Sequence, residues 1–271
     1  MPSSTVNGVP VWRQRTTKQS LAIWVGWLLL VALFVFCWQV MTKDTIWAFV
    51  DDAPRQAADL ASRMFPPRWS YINKLWLPLW DTLNIASLGT ILGIIIAMPV
   101  AFMAARNTTP STTFVRPIAL FIIVASRSIN SLIWALLLVS IIGPGVLAGV
   151  IAIGLRSIGF VAKLMYEAIE EIDAKQVEAV RATGASASQV IDYAIVPQIL
   201  PSFFGVAVFR WDINIRESTI LGLVGAGGIG LQLQASLNVL AWPQVTMIFV
   251  VILATVVVSE WVSAKVRHAI S

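Results

Sequence analysis

Arg127, Arg156, Arg210, Asp212, Arg216 and Glu217 are charged residues set inside long apolar stretches of this chain. A charge at membrane depth is costly, so it normally faces a bundle interior or a water-filled path. Arginine at such a position suits oxyanions, because its planar fork donates two parallel hydrogen bonds to phosphate-like oxygens. Asp212 and Arg216 are four apart and can pair on one helix face. Two readings follow. In the first, Arg127, Arg156, Arg210 and Arg216, with Asn130, Asp212 and Glu217 beside them, line a route for a small anion. In the second, the same groups make interhelical ion pairs, for example with Glu217, and hydrogen bonds to Asn130 or Asn214. Lys163 lies near a helix end and is placed to snorkel to the surface.

Other chemistry is scarce. The chain has one cysteine, Cys37, and one histidine, His268. That excludes an internal disulfide framework and a multi-Cys or His-based metal cluster. No G-x-x-x-x-G-K-[ST] occurs, so no P-loop for ATP is present. Gly225-Ala226-Gly227-Gly228-Ile229-Gly230 matches G-x-G-x-x-G, but no Asp or Glu lies between Ser218 and Ser259, where a dinucleotide fold needs one. These glycines read instead as a sharp break with close helix approach. Gly89 and Gly93 have the spacing of a helix contact. Asn107-Thr108-Thr109 is a formal glycosylation sequon in a loop assigned to the cytoplasm, and is read as chance. An intramembrane enzyme lacks a His, Cys or paired-carboxylate site.

These residues must be positioned by membrane helices. Of 271 residues, 58% are hydrophobic and 12% charged, against about 25% charged in soluble domains, and the mean hydropathy is +0.80. So little polar surface excludes a soluble enzyme, a disordered chain and a basic-patch nucleic-acid binder; the net charge of +5 does not alter that. Six spans are expected near 20–41, 79–104, 117–142, 146–166, 198–221 and 243–264, since a span needs about 20 apolar residues. The fold class is all-α: a polytopic helical membrane protein of about six transmembrane helices. The first apolar run is too long for a signal peptide and lacks a small-x-small site, so it is read as an uncleaved anchor. With both termini in the cytoplasm, the inner segments carry Arg13, Arg15, Lys18, Arg106, Arg116, Lys175, Arg181, Lys265 and Arg267. The outer segments are then 42–78, 143–145 and 222–242. The first of these is a hairpin connector with an amphipathic stretch, Ala53 to Met64, suited to a membrane surface.

The loop 167–192 is polar. Asp173 can cap a helix, with Gln176 reaching back, and Gly184 can end it. Ser186 and Gln189 repeat the capping-box spacing, and Pro197 marks entry to the fifth span. Ala174, Val177, Ala179 and Val180 give the first helix a small apolar surface. Periodicity leaves two readings open: a hairpin folded on its own bundle, or a protruding knob that docks into a partner.

Glu178-Ala179-Val180-Arg181-Ala182-Thr183-Gly184, followed by Ala194-Ile195-Val196-Pro197, resembles the EAA loop of ABC-importer permeases. It departs from that pattern at Val180, Ala194 and Val196, where Ala, Ile and Leu are expected, and keeps the spacing. The resemblance implies a MetI-like permease fold over residues 1–271 as a single transmembrane permease domain: anchor helix 20–41, extracytoplasmic segment 42–78, core helices 79–264 and coupling loop 167–192. It implies that Ala174, Val177, Glu178, Ala179, Arg181 and Gly184 dock on an ATPase. The stretch Phe209-Arg210-Trp211-Asp212-x-Asn214-x-Arg216-x-Ser218-Thr219, then Leu223 to Gly230, together with Arg181 to Ala185 and Val196-Pro197-Gln198, is similar to the phosphonate branch, which also handles phosphite and hypophosphite. The implied function is the membrane subunit of an ATP-driven importer, multi-pass in a bacterial inner membrane. The implied partners are a second copy, two cytoplasmic ATPases, an extracytoplasmic binding protein and lipid, with no nucleic acid. No cofactor is expected in this chain; ATP and Mg belong to the ATPase. The alternative is an ion-gradient-driven secondary transporter, which would favour internal repeats and titrating buried carboxylates.

Overall fold

The computed structural model describes residues 3–6, 9–12 and 17–270. Arg13 and Arg15, used above for orientation, lie outside them. Contacts divide the chain into residues 1–59 and residues 60–271. The first unit holds a small antiparallel pair, β1 (Ser3–Val6) and β2 (Val9–Trp12), and helix α1 (Thr17–Thr42). Every other described regular element is helical. α1 carries no charge after Lys18, and its 26 residues reach about 39 Å, enough to cross a hydrocarbon core of about 30 Å. α2 (Trp47–Met64) contains the expected amphipathic stretch and begins six residues earlier. Gln56 Nε2 donates to Asp52 Oδ2 at 3.1 Å on its polar face.

The second unit is built around α3 (Ile72–Ala104) and α6 (Val146–Glu170). They approach closely because α3 presents glycines at the contact, Gly89 against Ile153 and Gly93 against Ser157. A Cβ added at Gly89 would lie 2.7 Å from Ile153 Cγ2, and one at Gly93 would lie 2.5 Å from Ser157 Cβ. The Gly89/Gly93 spacing is therefore the contact itself. Gly93→Val should cost stability by overpacking, on the order of 1–3 kcal/mol. The check is a lower thermal midpoint in detergent; an unchanged midpoint would mean the two helices can separate freely.

The expected third span, 117–142, is not one helix. α4 (Val115–Ser128) and α5 (Ser131–Ile142) meet at 87°. Ile129 and Asn130 between them are extended, and Asn130 Oδ1 accepts from the Leu132 amide at 3.1 Å, starting a new helix. An uncharged run hides this break, because a helix cap is polar but not charged. Five described helices are long and apolar enough to span, and there are six if the bent pair is counted as one span. Gly143 and Gly145, at φ 100° and 148°, form the expected tight turn into α6.

α4 is pinned to α6 through a hydroxyl. Ser126 Oγ accepts from the Gly159 amide at 2.9 Å and donates to the Leu155 carbonyl. Those two backbone groups are one helical hydrogen-bond step apart, so the serine is inserted into the α6 ladder. Beyond α6 come α7 (Ala174–Ala182), α8 (Ala187–Val190), a π-helical turn (Ile191–Ile195) and α9 (Val196–Leu221). A glycine-rich connection leads to α10 (Ile229–Asn238), and α11 (Trp242–Ile270) closes the unit.

Three apolar clusters form the core. One, toward the α7 end, joins Ala97, Ala101, Ala119, Ile123, Met165, Ile169, Ile195 and Ile199. Ile85, Ala135, Ile153 and Leu221 belong to a second. Leu75, Ile229, Leu233 and Ile248 belong to a third. On α6 Arg156, and on α9 Arg210, Asp212, Arg216 and Glu217, fall between the first two clusters in sequence.

Candidate functional site

The polar belt draws on four helices. Arg210 on α9 is 2% exposed. Its Nε donates to Ser157 Oγ on α6 at 3.0 Å, and its guanidinium lies 5.1 Å from the Phe160 ring centroid. Asn214, one turn on, donates through Nδ2 to Thr90 Oγ1 on α3 at 2.7 Å and to Ser157 Oγ at 3.1 Å. Both hydroxyls pass their own protons to carbonyls four residues back, Ala86 and Ile153. Three helices are thus tied at one level through saturated hydroxyls.

Glu217 sits between two arginines. Its Oε1 is 3.3 Å from Arg156 Nε on α6, and its Oε2 is 3.5 Å from Arg210 Nη2. Asp212 pairs with Arg216 as the four-residue spacing predicts, and it also accepts from Ser259 Oγ on α11 at 2.8 Å. Trp211 Nε1 donates to Ser87 Oγ at 3.0 Å. Exposure separates the arginines. Arg210 is sealed, whereas the side chains of Arg156 and Arg216 are 30% and 46% exposed. The cluster of Arg156, Arg210 and Arg216 against Asp212 and Glu217 keeps an excess of one positive charge.

Arg127 stands apart from this belt. It is exposed and lines a groove of about 390 Å³ with Ser128, Lys163 and Tyr166. Its Cγ packs where a Cβ on Gly159 would come within 2.8 Å. Lys163 pairs with Glu167. Asn130 caps α5, as described, and does not join the arginines. Sequence reading missed Ser87, Thr90, Ser157, Phe160 and Ser259. The only signal of the four hydroxyl residues was a polar group on an otherwise apolar helix, and Phe160 carried none.

The loop 167–192 forms the two short helices expected. Asp173 Oδ1 accepts from the Lys175 amide at 3.0 Å. Gln176 does not close that cap. The Asp173 amide instead donates to Gln198 Oε1 at 2.9 Å, which ties the start of α7 to the first turn of α9. Gly184 adopts φ 82°, and Ser186 with Gln189 forms the complete capping box. Ala174, Glu178, Ala179, Arg181 and Gly184 are exposed, while Val177 is half-buried against the apolar cluster at this end of the bundle. Val177 packs back on the bundle, Val180 is half-buried, and the other residues of α7 face outward. The neighbouring loop braces this end, since the Arg106 amide donates to Glu170 Oε1 at 2.9 Å and Arg116 lies 3.6 Å from the same oxygen.

At the opposite end, Gly225, Gly227 and Gly228 have φ of 88°, 85° and 75°. The Gly145 amide donates to the Gly225 carbonyl at 3.0 Å, and the Ile229 amide donates to Thr82 Oγ1 at 2.8 Å. A Cβ on Gly230 would fall 2.1 Å from the Thr219 carbonyl oxygen. The glycines make the sharp break and close approach expected of them.

Known proteins match this arrangement. The family of binding-protein-dependent transport system inner membrane components matches residues 89–267. The phosphite transport system permease protein PtxC of Stutzerimonas stutzeri is 40% identical over 260 residues, covering 96% of this chain and 90% of that protein. The phosphate-import permease protein PhnE of Mycolicibacterium smegmatis is 40% identical over 237 residues, covering 88% of this chain and 44% of that longer protein. Among solved structures, an inward-facing MetNI methionine ABC transporter aligns with a TM-score of 0.66 at 21% identity, over 75% of this chain and 99% of that one. A bacterial alginate ABC transporter aligns at 0.56 with 17% identity, over 92% and 99%. These last two support the fold.

Proposed function

The chain belongs to the family of binding-protein-dependent transport system inner membrane components, and from that premise we propose that it passes a small phosphorus oxyanion (phosphonate, phosphite or hypophosphite) into the cytoplasm. It is a multi-pass inner-membrane permease and not an enzyme. The observation that carries the substrate class is the polar belt, with three arginines against two carboxylates and two of the arginines partly exposed. The charge excess attracts an anion, and the fork geometry of arginine suits oxygens on phosphorus. The relatives named for phosphite transport and phosphate import point the same way.

In this reading Arg127, Arg156 and Arg216 meet the substrate, with Asn130 near the entrance to α5. Arg210, Asp212 and Glu217 set the field around them. Energy comes from two cytoplasmic ATPases, which hold ATP and Mg and dock on α7 through Ala174, Val177, Glu178, Ala179, Arg181 and Gly184. A binding protein delivers the ligand on the far side. A second copy of the chain completes the pathway, each copy acting as one permease domain with both termini in the cytoplasm. The exposed face of α7 and its link to α9 through Gln198 favour this over an ion-gradient-driven transporter.

Reconstitution with the ATPase and binding protein tests it. Phosphite uptake should require ATP, and Arg156→Gln and Arg216→Gln should each lower the uptake rate by roughly tenfold or more, a loss of about 1.4 kcal/mol. Uptake by the permease alone on a proton or sodium gradient would overturn the reading. Full uptake by both variants would remove the arginines from it.

A further inference from the structure

We propose that Glu217 is a built-in counter-anion that shares Arg156 with the transported oxyanion and displaces it on release. The inference rests on the anion-path reading above and adds an exchange step to it. Glu217 is held by two guanidinium groups and seated closely on neither: the separations are 3.3 Å to Arg156 Nε and 3.5 Å to Arg210 Nη2. Charge-assisted N–H···O bonds usually run about 2.7–2.9 Å. Arg210 Nη2 and Glu217 Oε2 are both buried, and neither has a hydrogen bond. Asn214 Oδ1, on the same face of α9, is buried and unbonded too.

The two arginines differ in freedom. Arg210 is 2% exposed, bonded to Ser157 and stacked over Phe160, so it stays in place. Arg156 is 30% exposed and Glu217 18%, which makes their contact the accessible edge of the cluster. Glu217 meets Arg156 at Nε, 3.3 Å away. A tetrahedral oxyanion presents two oxygens to the fork and binds it better. During the exchange Glu217 keeps Arg210 as its partner, so no buried charge is left alone, the condition that makes such breakage expensive. The return of Glu217 to Arg156 then expels the anion toward the cytoplasm. Without that carboxylate the anion should linger.

The test uses the full complex of permease, ATPase and binding protein in proteoliposomes, with phosphite loaded into the receiving compartment. For Glu217→Gln, internal phosphite should half-inhibit uptake at about one tenth of the concentration that the unaltered protein needs, a difference of about 1.4 kcal/mol. Glu217→Asp keeps the charge and should stay near the unaltered curve. An unshifted inhibition curve for Glu217→Gln overturns the proposal. If Glu217→Gln alone fails to fold, Arg210→Met with Glu217→Gln removes both buried partners and is read the same way. Arg156→Gln separates the two ideas. Loss of uptake there with no shift for Glu217→Gln sinks only the counter-anion role, and unchanged uptake there takes Arg156 out of the path and the counter-anion role with it.

Discussion

Arg210→Met should abolish folded, extractable protein, or lower its thermal midpoint more than any other single change in the belt. The guanidinium is 2% exposed and anchors α9 to α6 through Ser157. Its removal takes from Glu217 the partner on its buried oxygen and leaves the carboxylate dependent on Arg156 alone. Breaking a buried ion pair from one side costs about 3–5 kcal/mol, because the surviving charge stays desolvated. Replacing both partners is far cheaper, so Arg210→Met with Glu217→Gln should recover most of the loss. Size-exclusion profiles and melting curves in detergent decide it. Equal instability of the single and double variants would show that packing against Phe160, and not charge, is what Arg210 contributes.

Gly184→Pro should reduce ATP-driven uptake by at least tenfold while the protein still inserts and melts normally. Gly184 holds φ 82°, and its amide donates to the Arg181 carbonyl at 3.0 Å. Proline locks φ near −65° and has no amide hydrogen, so neither feature survives. The residue before a proline is also pushed out of the helical region, and Thr183 sits there at φ −79°, ψ −1°. The end of α7 would therefore be redirected, and the exposed face of Glu178 and Arg181, which the proposed function assigns to the ATPase, would be lost. Gly184→Asn, which tolerates the left-handed conformation, should retain most uptake. Substrate-stimulated ATPase activity unchanged in the proline variant would refute a coupling role for this loop. Surface loops away from packed cores tolerate such changes in stability terms, which is why the two readouts should part.

The elements that could be read from sequence were those whose signals are local. Ser186 with Gln189 and Gly184 announce their helix ends by type and spacing, and Asp212 with Arg216 announces a pair by periodicity. The bend between α4 and α5 leaves no trace in the charge pattern, because Asn130 breaks the helix without a charge. The capping partner of Asp173 was misassigned because Gln198, 25 residues on, outcompetes the nearby Gln176. Glu217 with Arg156 spans 61 positions, so only packing of α9 on α6 could bring them together. Ser157, Thr90 and Ser259 looked like tolerated small residues within apolar helices. Their role depends on what faces them, and that is a property of the bundle.

The π-helical turn Ile191–Ile195 joins α7 and α8 to α9. Such a turn accommodates one more residue than an α-helical turn would. Residues on its two sides are therefore out of phase by about 100° relative to an unbroken helix. Deleting a single residue there would swing α7 a quarter-turn or more around the axis of α9 while leaving every side chain of the knob intact. The aim of the knob, as distinct from its shape, is thus written in the chain length between Val190 and Val196.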